Sequence, residues 1–191
     1  MIQAFQSRDG KAFDQLVLKY KNKVFNLCYQ FLGHYEDAED CAQESFIKVF
    51  HHLKDFRFQS SFSTWLYRIA VNTCKNKISS LEYRLRKRNI YLDKPKESDK
   101  GVFLQELPDD RSSPAVLLER KEMLSQIQQA IRSLSKKQRT LVILRDVEGL
   151  AYEEIVRITG FKLGTVKSKL ARARDQLKEK LKGVQERNGE F

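Results

Sequence analysis

Apolar positions along the chain recur at three and four, the period of helices packed on one side. Phe13, Leu16, Val17, Tyr20, Val24, Leu27, Cys28 and Phe31 form one such stripe. Ala38, Cys41, Ala42, Phe46, Val49, Phe50 and Leu53 form a second, and Phe62, Leu66, Ile69, Ala70 and Thr73 a third. Near residue 113 the pattern resumes: Ser113-Pro114 offers a cap and a first-turn proline to a helix carrying Leu117, Leu124, Ile127 and Ile131. Ser135 and Gln138 have capping-box spacing ahead of Leu141 and Leu144. No alternating strand pattern occurs, so the fold class predicted is all-α.

Between these blocks the periodicity lapses. All three prolines, Pro95, Pro108 and Pro114, fall at or near this gap, and from 93 to 111 six acids outnumber four bases. Residues 83–113 therefore read as a flexible linker between two small helical domains, 1–82 and 114–184, with 185–191 as a tail. Thirty-one residues at ~3.3 Å each can span ~100 Å.

Residues 150–174 have helix-turn-helix spacing. A helix from Tyr152 ends at Thr159-Gly160, another begins near Gly164-Thr165, and Val156, Gly160 and Val166 sit where such helices pack. Ala151 stands where a Ser or Thr would cap the first helix, an omission worth roughly 1 kcal/mol. At about 100° per residue, Val166, Leu170, Ala173, Leu177 and Leu181 share one sector of the second helix. Ser168, Ala171 and Arg172 project oppositely, flanked by Lys167 and Lys169.

Charge adds direction. The 191 residues carry 36 Lys+Arg against 25 Asp+Glu, a formal +11, which favours polyanionic partners. Eight of those bases fall between 162 and 182, against two acids. A cationic helix face centred on a hydroxyl and an alanine suits the major groove, where Arg reads guanine and small residues approach thymine methyls.

Two N-terminal segments point elsewhere. Residues 56–67 hold five aromatics, Phe56, Phe58, Phe62, Trp65 and Tyr67. Thr64, Arg68, Asn72, Lys75, Asn76 and Ser79 continue as a polar stripe. Rings beside amide and cationic groups can stack unpaired bases, and Gln59-Ser60-Ser61 could receive a base turned out of the stack. Phe56, Phe62 and Trp65 could equally form core, and a core role and a wall role can coexist. By contrast, Glu36, Asp37, Glu39, Asp40, Gln43 and Glu44 make a helix start acidic, which repels DNA and suits a basic protein surface; the helix dipole alone also favours acids there.

Other chemistries find little support. Cys28, Cys41 and Cys74 are widely spaced without C-x-x-C, and His34, His51 and His52 lack ligand partners, so no disulfide framework, metal site, cofactor or catalytic residue is expected. No run approaches the ~20 apolar residues of a membrane span, and the start lacks a secretion signal; membrane insertion is not expected and a reducing cytoplasm is.

Three segments resemble the bacterial sigma-70 superfamily of RNA polymerase sigma factors, in particular its extracytoplasmic-function group. DAEDCAQESFIKVF at 37–50 is similar to the region 2 helix that grips the β′ clamp helices of core polymerase. FRFQSSFSTWLYRIAVNTCKN at 56–76 is similar to the part that melts and reads the minus-ten element. SLSKKQRTLVILRDVEGLAYEEIVRITGFKLGTVKSKLARAR at 133–174 is similar to region 4, which reads the minus-35 element and meets the β flap. The resemblance implies polymerase contacts at Asp37, Glu39, Asp40, Gln43, Glu44, Phe46 and Lys48. It implies melted-strand contacts at Phe56, Gln59, Ser60, Ser61, Phe62, Thr64, Trp65, Arg68, Asn72, Lys75 and Asn76. Duplex contacts follow at Lys162, Thr165, Lys167, Ser168, Lys169, Ala171, Arg172 and Arg174. It further implies that the partners are core RNA polymerase, promoter DNA, both duplex and single-stranded, and an anti-sigma factor. The linker would thread toward the polymerase active centre. Phe58 stands where the family commonly has glycine, Val156 where it has a small residue, and Ser135 where it has proline. A stand-alone helix-turn-helix regulator is the rival reading; it leaves the acidic helix and aromatic segment unexplained.

Overall fold

The computed structural model describes residues 10–80, 83 and 114–188, so the expected linker lies almost wholly outside the described residues. The chain divides into two compact units, one built mainly from the N-terminal helices and one mainly from the C-terminal helices. Every regular element among the described residues is helical.

In the N-terminal unit α1 (Gly10–Leu32), α2 (Tyr35–His52) and α3 (Phe62–Ser79) pack mutually. Leu27, Leu53, Leu66, Val24, Val49 and Val71 are fully buried between them. Gly33 takes a left-handed φ of 68° to end α1. A single turn, Leu53–Asp55, follows α2. The start of α3 is capped by Ser61, whose Oγ accepts the Thr64 N–H at 3.1 Å.

The apolar stripes are largely as the periodicity predicts, with two instructive departures. Phe50 is 49% exposed rather than core. The buried stripe of α2 runs through Ala38, Cys41, Ala42, Ser45 and Val49, and Phe50, one residue further round, lands at its edge against the Phe13 ring, 5.1 Å away. Tyr83, placed by sequence at the head of the linker, instead belongs to this unit. It is buried, and its hydroxyl donates to the Leu32 carbonyl at 3.2 Å.

The three cysteines, remote in sequence, meet in the core with free thiols. Hydrogen bonding to Cys28 and Cys41, together with burial, pushes the Cys74 thiol well up, whereas the Cys74 thiol as donor draws Cys41 down. Buried and unpaired by disulfides, they serve as small hydrophobes.

The C-terminal unit contains α4 (Pro114–Ser133), α5 (Lys136–Val142), α6 (Tyr152–Thr159) and α7 (Leu163–Asn188). Helices α4, α5 and α7 pack together around Leu141, Ile143, Leu144 and Leu170. Leu117 is 48% exposed, so the inward face of α4 starts later than the stripe suggests, with Leu124 and Ile127 half-buried and Ile131 buried. Ser135 Oγ accepts the Gln138 N–H at 3.4 Å and its hydroxyl donates to Gln138 Oε1, a variation on the expected box. After α5 the helix widens into a π-type turn, Ile143–Val147, closed by Glu148 N–H on the Ile143 carbonyl at 2.9 Å. Helix α7 runs to Asn188, past the expected domain end at 184.

Candidate nucleic-acid interface

The helix-turn-helix spans α6, a three-residue turn and α7. Gly160 adopts φ 72° and donates its N–H to the Val156 carbonyl at 2.8 Å, and Val166 N–H closes the first turn of α7 on the Lys162 carbonyl at 3.0 Å. Val166, Leu170 and Ala173 are buried as the wheel predicts; Leu177 and Leu181 are half-buried. Ile155 and Ile158 on α6, rather than half-buried Val156, are its core residues. Ala151 offers no capping oxygen. Its N–H nevertheless donates to the Glu154 carboxylate at 3.1 Å, so half of a capping box holds the start of α6. Nearby, Arg145 donates to the Leu150 carbonyl at 2.7 Å and lies 4.7 Å from the Tyr152 ring centre.

On the opposite face of α7, Lys167, Ser168, Ala171 and Arg172 are exposed, as is Lys162 in the preceding turn, and Thr165 and Lys169 are half-buried. Arg174 differs. Its guanidinium forks onto Asp146, Nε at 3.2 Å from Oδ2 and Nη2 on Oδ1, and this bond raises its pKa further. The pairing spans 28 positions and left no sequence signal; it removes Arg174 from the free cations of the face.

In the N-terminal unit the polar stripe of α3 is real at Arg68, Asn72 and Asn76, all exposed, with Lys75 half-buried and its amine held below its ordinary pKa by that burial. Thr64 departs from expectation. It is buried, its hydroxyl 2.7 Å from Ser61 Oγ, and it helps close the cap of α3. Phe56 and Phe62 are also buried, so both take part in the core. The rings form one chain of contacts. Phe58 lies 4.9 Å from Phe56, Phe56 is 5.1 Å from Trp65, Phe62 is 5.9 Å from Trp65, and Tyr20 is 5.4 Å from Phe62. Trp65 and Ser60 are half-buried, whereas Gln59 and Ser61 are exposed. Phe58 has φ 56°, the one non-glycine residue with positive φ among those described. For an L-residue with a bulky side chain that geometry costs about 1–2 kcal/mol.

Helix α2 presents Glu39, Asp40, Gln43 and Glu44 to solvent. Asp37 is different: it is 3% exposed and sits 3.7 Å from Lys77 and 3.6 Å from His34, a structural ion pair rather than a surface contact. Lys48 is also engaged, 2.6 Å from Glu44 and donating to Thr73 Oγ1 at 3.1 Å, and Phe46 is half-buried. Ile47, 52% exposed, continues the acidic face toward Phe50. Phe50 reads as core from the sequence because it falls in the apolar stripe; Ile47 lies outside that stripe and carries no signal of its own.

Among the described residues no group of His, Cys, Asp or Glu is placed to hold a metal ion, and no helix is long and apolar enough to cross a membrane.

Comparison with known proteins agrees with this layout. Residues 16–84 match the model of Sigma-70 region 2, and residues 124–177 match that of Sigma-70, region 4. The chain is 35% identical over 181 residues to the RNA polymerase sigma-H factor of Pseudomonas aeruginosa, covering 95% of this chain and 92% of that protein. It is 35% identical over 184 residues to the ECF RNA polymerase sigma factor SigW of Bacillus subtilis, covering 96% of each. A solved structure of the sigma factor RpoE with the anti-sigma factor NepR from Bartonella quintana superposes with TM-score 0.63 at 26% identity, over 90% of this chain and 98% of that one. CnrH in complex with the cytosolic domain of CnrY shares the fold, with TM-score 0.66 at 21% identity over 95% of both chains. The chain belongs to the sigma-70 family of RNA polymerase sigma factors, in its extracytoplasmic-function group.

Proposed function

We propose that this chain directs core RNA polymerase to promoters and holds the opened minus-ten strand, without catalytic chemistry of its own. The observation that carries the proposal is the pairing, in one unit, of an exposed acidic helix face with an exposed amide-and-cation row beside an aromatic loop. A stand-alone duplex-binding regulator has no use for either.

Glu39, Asp40, Gln43 and Glu44 dock on basic ground at the β′ clamp helices of core polymerase. Arg68, Asn72 and Asn76, with half-buried Lys75 and Trp65, follow the backbone and edges of the displaced strand, and the Gln59–Ser61 loop receives a base. Phe56, Phe62 and Thr64 support that surface from behind rather than touching DNA. On α7, Ser168, Ala171 and Arg172 enter the major groove of the minus-35 element, with Thr165 at its N-terminal end and Lys162, Lys167 and Lys169 on phosphates. Strand separation draws its energy from binding: duplex opened transiently is trapped by stacking and charge. Because a sigma factor of similar fold is solved with an anti-sigma factor, regulation by such a partner in the cytoplasm belongs to the same proposal.

The test is transcription in vitro. Core polymerase plus this protein initiates at a discrete site on promoters selected from a random library, and neither component alone does so. Arg172→Ala costs ~1–3 kcal/mol at one upstream base position. Asp40→Lys weakens holoenzyme assembly; unchanged affinity would remove α2 from the polymerase interface.

A further inference from the structure

Phe58 stands apart from the rest of the aromatic segment. It is the most exposed phenylalanine among the described residues, at 52%, yet it occupies a backbone geometry that aromatic residues avoid. A strained residue persists when its surroundings hold it there and often marks a working surface. Packing supplies little reason for the ring: among the described residues its one ring partner is Phe56, and half of its surface remains in water. Its mounting is firm, since Phe56 is buried and is itself braced by Trp65 and Phe62. Its sequence neighbours Arg57 and Gln59 are exposed as well, and Ser60 and Ser61 lead on into α3. A flat apolar face, rigidly backed and carried on a loop whose neighbouring positions are a cation and small polar residues, fits an unpaired nucleobase better than a protein side chain.

We propose that Phe58 is a stacking platform for one unpaired base of the opened strand and thereby sets preference at that position. This rests on the proposed sigma function and adds to it a residue outside the expected set of contacts. With the backbone fixed in a left-handed turn and the ring backed by Phe56, a base leaving the duplex meets a preformed surface.

The experiment uses reconstituted holoenzyme on a selected promoter, with 2-aminopurine placed in turn at each non-template position of the opened region. Wild type is compared with Phe58→Gly, which removes ring and strain together, and Phe58→Trp, which keeps a ring. Wild type quenches the probe at one position. Phe58→Gly loses that quench and binds a fork-junction template about tenfold more weakly, with base preference reduced there and unchanged upstream. Phe58→Trp retains both quench and binding. The thermal midpoint of Phe58→Gly stays level or rises, which separates the effect from misfolding. If Phe58→Gly quenches and binds as wild type does, Phe58 is no platform although the sigma function stands. If Phe58→Gly instead loses affinity for core polymerase with DNA contacts intact, the ring is a protein anchor and the proposal falls. A wild-type assembly that opens no promoter overturns the functional reading and this proposal with it.

Discussion

The two surfaces proposed to meet DNA are built on opposite principles. On α7 the polar residues ride an uninterrupted helix of 26 residues, and neither strain nor ring clusters shape the face. In the N-terminal unit the surface is part helix and part loop, backed by linked rings, with a phenylalanine in left-handed geometry at its rim. A duplex presents a groove of fixed shape, so a straight helix with correctly spaced side chains is a sufficient reader. An opened strand has no fixed groove, and the protein must supply the shape from its own side. Regularity suits the first task and irregularity the second.

That difference also explains what the sequence made legible. The face of α7 follows from a rotation of 100° per residue, and Val166, Leu170 and Ala173 were found buried where the wheel put them. The rings of 56–67 were visible as composition, but which were wall and which were surface depends on helices α1 and α3 closing around Phe56 and Phe62. The backbone at Phe58 has one signal, the glycine that the resembling family commonly carries there, since glycine is the residue suited to positive φ. Ion pairs were hidden for a related reason. Asp146 and Arg174 meet across 28 positions, and Asp37 is buried because Lys77 arrives from another helix. Charge density located the acidic helix; only packing separated its buried carboxylate from its exposed ones.

The largest effect tests whether the units are separable. Leu170 is 1% exposed on the buried side of α7, and Leu170→Ala should destabilise the C-terminal unit by about 2–5 kcal/mol. Trp65 is the one tryptophan in the chain and reports on the N-terminal unit alone. In urea, helical circular dichroism should therefore show an early phase while the tryptophan transition keeps its midpoint. A matching shift in both signals would mean that the two units unfold as one.

A smaller effect sharpens the account of α2. Lys77 lies 3.7 Å from both Asp37 and Asp40, but only Asp37 is buried, so Asp37→Asn should cost about 1–3 kcal/mol by removing the buried half of that pairing. Asp40→Asn, at a side chain 67% exposed, should lie within ~0.5 kcal/mol of wild type. Holoenzyme affinity should rank them the other way, falling for Asp40→Asn and holding for Asp37→Asn under conditions where both are folded. Denaturant titration and polymerase pull-down read the two scales, and parallel losses on both would erase the division between structural and contacting acids.

The smallest effect compares the two helix starts. Helix α3 has a serine cap, with Ser61 Oγ accepting the Thr64 N–H, whereas α6 begins at Ala151 with only the Glu154 half of a box. Ala151 already has the extended backbone of a capping residue, φ −66° and ψ 154°, so a serine there needs no rearrangement. Ala151→Ser should then add about 0.5–1 kcal/mol to the C-terminal unit, raising its thermal midpoint by roughly 2–8 °C. Ser61→Ala should lower the N-terminal unit by a similar amount, visible in Trp65 emission where the first substitution is silent. The serine gain should shrink when Glu154 is replaced by Ala, because the two halves of the box order the same turn. If Ala151→Ser leaves the midpoint unchanged, the Glu154 carboxylate and the Arg145 bond to Leu150 already hold the start of α6 as firmly as a cap would.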